Sequence, residues 1–120
     1  MPMIAPPTVY VADSVTEYEL TTTTVETVAT AARSAPGRAS IWGSFRVANS
    51  LTAVTVQVTW TDAAGNIQSR VLTNGLSFGV GDWELPEVAI TAMAGAPIVV
   101  KYTAGTANNV FASATIVFME

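Results

Sequence analysis

Apolar and polar residues alternate along most of this chain. In "LTAVTVQVTW", Val54, Val56, Val58 and Trp60 occupy every second position, with threonines and a glutamine between them. Successive side chains of a strand point to opposite faces, so this pattern predicts a half-buried antiparallel strand. The next residues, "TDAAG", predict a turn in which Gly65 adopts a positive φ, and "NIQSRVLT" returns as the partner strand.

The last strand predicted from the sequence, "VFASATIVFM", has two faces of different character. One face carries only apolar side chains, namely Val110, Ala112, Ala114, Ile116 and Phe118. The opposite face mixes Phe111, Val117 and Met119 with Ser113 and Thr115, and its apolar members need a cover. We expect Phe111, Val117 and Met119 to lie at or near a contact between copies of the chain. The alternative is that the N-terminal segment of the same chain covers them.

Further strands are predicted in five segments: "SVTEYELTTTTV", "SIWGSFRVA", "LSFGVGDWEL", "PEVAITAM" and "PIVVKYT". Asn74-Gly75 is a turn signal, and the alanine-rich stretch 25–35 could instead form a helical turn before "APGR" ends it. Turns recur at intervals of roughly 8–12 residues, a spacing typical of sandwiches. The predicted fold class is all-β: a single antiparallel β-sandwich of about eight strands, jelly-roll-like.

The first fourteen residues, "MPMIAPPTVYVADS", differ from the rest. They hold three of the six prolines, which do not fit a central strand. We therefore expect an extended N-terminal arm at 1–14 and the sandwich domain at 15–120. Because Ile4, Val9, Tyr10 and Val11 are apolar, we expect the arm to pack against a neighbouring subunit. A frayed terminus is the alternative.

Composition favours association with other protein. The 120 residues suit one domain, half of them are apolar, and only 12% are charged, about half the usual share. Little charge means little repulsion between copies. The five basic residues are scattered, so we expect no nucleic-acid partner. Apolar runs are too short for a membrane span, and no charged segment precedes an apolar one at the N-terminus, so we expect a protein made in the cytoplasm.

Catalytic chemistry has few candidates in this sequence. Histidine and cysteine are absent, which excludes catalytic triads and zinc sites built on those residues. Glu17 with Glu19, or the acidic group Asp82, Glu84 and Glu87 around Trp83, could suggest a glycosidase pair, but a solvated strand face and a charged loop explain them better. Asp82, Glu84 or Asp62 could suggest a calcium site, but a hairpin turn explains the segment of Asp62. We predict no catalytic residue, no metal and no cofactor, and hence no enzyme.

The tryptophans allow a second interpretation. Trp60 is in phase with the valines of its strand and is expected in the core, whereas Trp42 lies opposite Ile41 and Phe45 and is expected to face outward or toward an interface. Exposed Trp42 and Trp83 could stack on sugars. A structural anchoring role for each ring is the alternative.

The segments from "LTAVTVQVTWTDAAGNIQSRVL" through "LPEVAITAMAGAPIVVKYTAGTANNVFASATIVF" resemble the small all-β virion proteins of tailed bacteriophages. The resemblance covers about the last 70 residues and consists of strand and turn patterns, so it carries no functional residue over. It implies a head-decoration (cement) protein, commonly a homotrimer, that binds the major capsid protein at the capsid surface of the virion. The runner-up hypothesis is a receptor- or glycan-binding module of a phage tail or fibre.

Overall fold

The computed structural model describes residues 9–119, which form nine strands. Their bounds are β1 (Val9–Glu19), β2 (Glu26–Ala32), β3 (Gly37–Val47), β4 (Thr52–Thr61), β5 (Ile67–Phe78), β6 (Gly81–Glu84), β7 (Val88–Ala92), β8 (Pro97–Ala104) and β9 (Val110–Met119). All pairings between them are antiparallel. The high content of Val and Thr explains why strands form throughout the described range.

The strands form two sheets in a jelly-roll-like sandwich. Sheet I has the order β1-β9-β3-β6, with β7 also paired to β3, and sheet II has the order β2-β8-β4-β5. Strands β6 and β7 pair with successive parts of β3, so together they occupy one strand position. The sandwich therefore has eight strand positions in two sheets, as in a jelly roll, which confirms the predicted fold class.

The core lies between the sheets and follows the predicted alternation. Val54, Val56 and Val58 of β4 are fully buried, and so is the apolar face of β9. Trp60 is partly buried against this core, as expected. The largest fully buried side chain is Tyr102 of β8, which crosses from sheet II to the backbone of sheet I.

The hairpin between β4 and β5 has the predicted turn. Gly65 has a φ of 88°, and the amide of Asp62 donates to the carbonyl of Asn66 at 2.8 Å. The carboxylate of Asp62 accepts hydrogen bonds from the amides of Ala64 and Asn66 and from the side chain of Gln68. Hydrogen bonds from Asn66 and Gln68 lower the pKa of Asp62, because they stabilise its ionised form.

The prediction of a turn at Asn74-Gly75 is wrong, because β5 continues through it. Gly75 uses its positive φ of 69° inside a strand whose register with β4 shifts twice near this point, which is a bulge. Thr55 Oγ1 accepts the Gly75 amide, and the Thr73 hydroxyl donates to the Val54 carbonyl, which holds the bulge in place. The single strand predicted for "LSFGVGDWEL" is also wrong: its first part ends β5 in sheet II, and "GDWE" is β6 in sheet I.

Two N-terminal segments bear on the sequence predictions. The sequence left the alanine-rich stretch open between a strand and a helical turn, and the structure has a strand, β2, whose Val28 and Ala29 are buried against the core. The run of threonines lies in the connection from sheet I to sheet II, not in a strand. Strand β1 has two register shifts against β9, between Val11 and Asp13 and between Val15 and Tyr18, and the second contains Glu17, which has a φ of 54°.

The expected boundary between arm and sandwich at residue 14 falls inside β1. Val9, Tyr10 and Val11 belong to β1 and pair with β9 of the same chain, opposite Met119, Phe118 and Val117. Ile4 lies outside the described residues. The N-terminal segment thus lies beside the last strand, as the intrachain alternative required, but it extends sheet I rather than lying over its outer face.

Candidate functional site

The two outer faces of the sandwich differ sharply in charge. We assigned each side chain of sheet II to the inner or outer face from the strand register and from the alternation of side chains along a strand. By this criterion one charged side chain, that of Lys101, points outward. Its neighbours on this face are uncharged: Thr27, Thr30, Thr55, Gln57, Thr59, Thr61, Ile67, Ser69, Val71, Val99 and Thr103. We call this surface the neutral face. Ile67 and Val71 are exposed at its β5 edge.

The outer face of sheet I carries more charge than the neutral face does. The same criterion directs six charged side chains outward, namely Glu17, Glu19, Arg38, Arg46, Asp82 and Glu84. They surround two distinct regions of the face. One region is apolar and lies where β1 begins and β9 ends, and the other is a groove beside Trp42.

The apolar region consists of two directly opposed cross-strand pairs. Val9 pairs with Met119, and Val11 pairs with Val117. Val9 and Val11 are 57% and 60% exposed, whereas Val117 is only 5% exposed. We call these four residues the apolar patch. They are four of the residues expected at a subunit contact, and the structure brings them together.

The other residues expected at an interface lie elsewhere. Tyr10 is on the inner side of β1, edge-on to the ring of Phe118 at 5.5 Å between centroids. Phe111 lies at the other end of β9, under the guanidinium of Arg46, whose Cζ is 4.4 Å from the ring centre. Trp42 is 43% exposed on β3. Phe111 is therefore covered within the chain by a cation rather than by apolar side chains.

A groove crosses the outer face of sheet I between Trp42 and Phe111. It consists of two partly open cavities of about 260 and 290 Å³. Ser44, Glu84 and Ser113 line both cavities, so the two adjoin each other. Trp42 and Thr115 line the first, and the second is lined by Glu17, Arg46, Asp82, Trp83 and Phe111.

The second cavity has a fixed cation. Arg46 Nη2 lies 2.8 Å from Glu17 Oε2, and its Nε lies 3.2 Å from the same oxygen. The hydrogen bond to Glu17 raises the pKa of Arg46, with a smaller contribution from the charge of Asp82. The positive φ of Glu17 turns its backbone amide toward Ser113, whose hydroxyl oxygen accepts it at 3.1 Å. The β1 bulge thus positions Glu17, and the pairing of β3 with β9 and β6 positions Arg46.

Trp83 is anchored, as the alternative interpretation expected. Its indole N–H donates to the carbonyl of Gly79 at 2.9 Å, and its ring meets that of Phe78 at 5.1 Å. Trp42 has a different environment, because it stands on the outer face at the edge of the first cavity. The two exposed tryptophans therefore do not form a common platform.

Residues 9–119 were compared with the requirements of a metal site and of a membrane-spanning helix. No three acidic side chains within this range are grouped closely enough to hold a metal ion. The same range has no helix long and apolar enough to cross a bilayer.

Comparison with known proteins identifies the fold and no closer relationship. No protein-family model matches the chain, and no curated protein matches it. A chain of infectious bursal disease virus (Gx strain) matches with a TM-score of 0.57 and 16% identity, over 96% of this chain and 33% of that one. The VP2 subviral particle of the same virus matches with a TM-score of 0.58 and 16% identity, over 94% of this chain and 32% of that one.

A third similar structure is the SPBc2 prophage-derived protein YomS, with a TM-score of 0.43, 11% identity and full coverage of both chains. The chain spans about one third of the length of the two viral chains. At these identities the likeness is one of fold: this chain shares an all-β sandwich with part of a viral capsid protein.

Sequence reasoning found one part of the groove and missed another. It singled out Trp42, Phe111, Glu17 and the carboxylates near Trp83, but gave no role to Ser44, Ser113 or Arg46. Alternation in "SIWGSFRVA" and in the last strand places these side chains outward. Their meeting depends on the register Ser44↔Ser113 and Ser44↔Glu84, which pairs strands far apart in sequence.

Proposed function

We propose that this chain is a structural subunit of a virus particle: a capsid decoration (cement) protein of a tailed bacteriophage that binds and stabilises the head shell. The observation that carries the proposal is the neutral face, four strands wide with one outward charge. The fold shared with part of a viral capsid protein is compatible with such a role and does not specify it.

The neutral face suits a long-lived protein contact. Cores of protein interfaces are depleted in charged residues, since each buried charge must lose its water. Threonine and glutamine side chains on this face can exchange water for hydrogen bonds with a partner at small cost. We assign this face to the major capsid protein.

A decoration protein that reinforces a shell also needs contacts between its own copies, and the apolar patch offers them. Val9 and Val11 project exposed methyl groups from the edge strand of sheet I. Their burial in a homo-oligomer, for which we favour a trimer, adds roughly 25 cal/mol per Å² before association costs. Linked copies on a lattice then bind with avidity.

In this proposal the protein works by binding alone. It acts at the capsid surface of the virion after synthesis in the host cytoplasm, with neither nucleic acid nor membrane as a partner. We assign it no enzymatic activity.

The test is to place a charge in the centre of the neutral face. Thr59 and Val99 are half-buried and lie opposite each other on β4 and β8. Thr59→Lys or Val99→Asp should weaken binding to heads purified without this protein by at least tenfold. Thr23→Lys, an exposed change in the connection between the sheets, is the matched control and should bind normally. Unchanged binding of both charged variants, with their fold intact, contradicts the proposal.

A second candidate function is a receptor- or glycan-binding module of a phage tail or fibre. The groove beside exposed Trp42 favours it. Trp83 does not strengthen it, because hydrogen bonding and ring packing hold its indole in place.

A further inference from the structure

We infer that the groove on the outer face of sheet I binds a neutral saccharide chain, with Trp42 as its stacking platform. This inference deepens the second candidate function and does not depend on capsid binding. The groove and the neutral face lie on opposite sides of the sandwich. One molecule can therefore use both.

The shape of the groove suits a short stretch of an extended chain. Small-molecule sites commonly occupy roughly 300–1,000 Å³, and the two adjoining cavities, at about 260 and 290 Å³, together fall within that range. Both are partly open, and they share a border of three residues. An internal segment of a polysaccharide fits such a site better than a ligand that must be enclosed.

The chemistry of the first cavity suits a sugar ring. The exposed indole of Trp42 offers an apolar face for the C–H groups of a pyranose. Around it stand the hydroxyls of Ser44, Ser113 and Thr115 and the carboxylate of Glu84. These groups supply donors and acceptors for sugar hydroxyls, which need both.

Part of this polar lining is already held in place. Ser113 Oγ accepts the Glu17 amide at 3.1 Å, and Thr115 Oγ1 lies 3.3 Å from Ser14 Oγ. Strands β3 and β9 set the spacing of Ser44 and Ser113 through direct pairing. Because rigid sheet residues form the site, a ligand would lose little affinity to side-chain ordering.

The charge of the second cavity selects a neutral ligand over an acidic one. Arg46 is paired with Glu17 at 2.8 Å and so offers no unpaired cation to a uronate. Asp82 and Glu84 add two further carboxylates to the lining. An anionic sugar would meet net negative charge here, whereas neutral hydroxyls can donate to those carboxylates.

The test is isothermal titration calorimetry of the full chain with four probes. Cellohexaose and maltohexaose are the neutral saccharides, trigalacturonate is the acidic one, and hexalysine tests for a basic peptide partner. We expect heat from at least one neutral hexasaccharide and none from trigalacturonate. Trp42→Ala should weaken that binding at least tenfold and Glu84→Gln at least threefold. Trp42→Phe should retain part of it, because a ring remains.

Leu76→Ala is the matched control: it trims an exposed apolar side chain on β5 of sheet II and should leave saccharide affinity unchanged. Far-ultraviolet circular dichroism of each variant shows whether the fold persists. Three results overturn the inference. The first is that neither neutral saccharide binds. The second is that Trp42→Ala and Glu84→Gln both bind the saccharide as tightly as the unmodified chain does. The third is that hexalysine alone binds, which would make the groove an acidic docking site.

The outcome can be separated from that of the capsid proposal. Trp42→Ala should bind purified heads as well as the unmodified chain does, and Thr59→Lys should bind the saccharide normally. Each proposal can therefore fail while the other stands.

Discussion

A hydroxyl group of sheet II reaches through the core to the backbone of sheet I, and its removal should have a measurable cost. Tyr102 of β8 is fully buried, and its hydroxyl lies 2.9 Å from the carbonyl oxygen of Ser113 and 3.2 Å from that of Ser44. Gly43 leaves room for it, because a Cβ there would lie 2.7 Å from the hydroxyl oxygen. Tyr102→Phe removes this link and leaves both carbonyls without that donor. Loss of a buried partner costs about 1–3 kcal/mol of unfolding free energy.

The same residue gives the stability a dependence on alkaline pH. Burial raises the pKa of Tyr102 above its ordinary value, with a smaller opposing effect from the Ser44 hydrogen bond. The unfolded chain then releases this proton at about pH 10, and the folded chain does so only at higher pH. The stability contribution is therefore complete below pH 10 and is lost above it, at about 1.4 kcal/mol per pH unit.

The assay is urea unfolding of the unmodified chain and of Tyr102→Phe at pH 7, 9, 10.5 and 11.5 at constant ionic strength. Groups that titrate in both proteins cancel when the unfolding free energy of Tyr102→Phe is subtracted from that of the unmodified chain. This difference in unfolding free energy should be about 1–3 kcal/mol up to pH 9, shrink above pH 10, and reach zero between about pH 11 and 12. Tyr10→Phe, at an exposed tyrosine, is the control and should show no such convergence. Parallel stability curves at all four pH values would refute the reasoning.

Three further predictions concern other parts of the molecule. Gly37→Ala should lower the unfolding free energy measured in urea by about 1–3 kcal/mol, because the new Cβ would lie 2.5 Å from Nη2 of Arg33. The guanidinium of Arg33 is buried and donates to three backbone carbonyls. Gly79→Ala, where a Cβ would stand in open space, should cost much less. Val11→Asp should reduce the solution mass measured by light scattering while the fold persists, and an unchanged mass would remove the apolar patch from the oligomer contact. Asp62→Ala should speed amide hydrogen exchange in the β4–β5 turn at pH 7. Since the pKa of Asp62 is lowered, the turn of the unmodified chain should lose the same protection as pH falls below about 4. Protection that does not change with pH would contradict this.

Much of the fold could be predicted from the sequence where period-two alternation is strict. Val54 to Val58 and the face from Val110 to Phe118 are buried as expected. Gly65 closes the expected hairpin. These signals are local, so no distant contact is needed to interpret them.

The wrong predictions share a cause: tertiary contacts overrode a local signal. Asn74-Gly75 is a turn signal in isolation, but hydrogen bonds from β4 hold Gly75 within a strand. The same kind of contact decides the alanine-rich stretch, which the sequence left open: pairing with β8 and burial in the core fix it as strand β2 despite the helical propensity of alanine.

The candidate sites were the part of the molecule that the sequence predicted least well. The neutral face becomes visible only when β2, β8 and the β4–β5 hairpin, which are separate in the chain, are set side by side. The pairing of Arg46 with Glu17 needs the bulge in β1, which the sequence pattern did not locate. Cross-strand register is set by the whole sheet, so a single strand pattern does not reveal it.

The most direct test of the central claim is the number of copies of this chain per particle. Quantitative mass spectrometry of purified virions gives it as a ratio to the major capsid protein. The account predicts many copies, in fixed proportion to the capsid protein, and particles that lose thermal stability when the chain is absent. A few copies per particle that remain with isolated tails would contradict capsid decoration and favour the receptor-binding module.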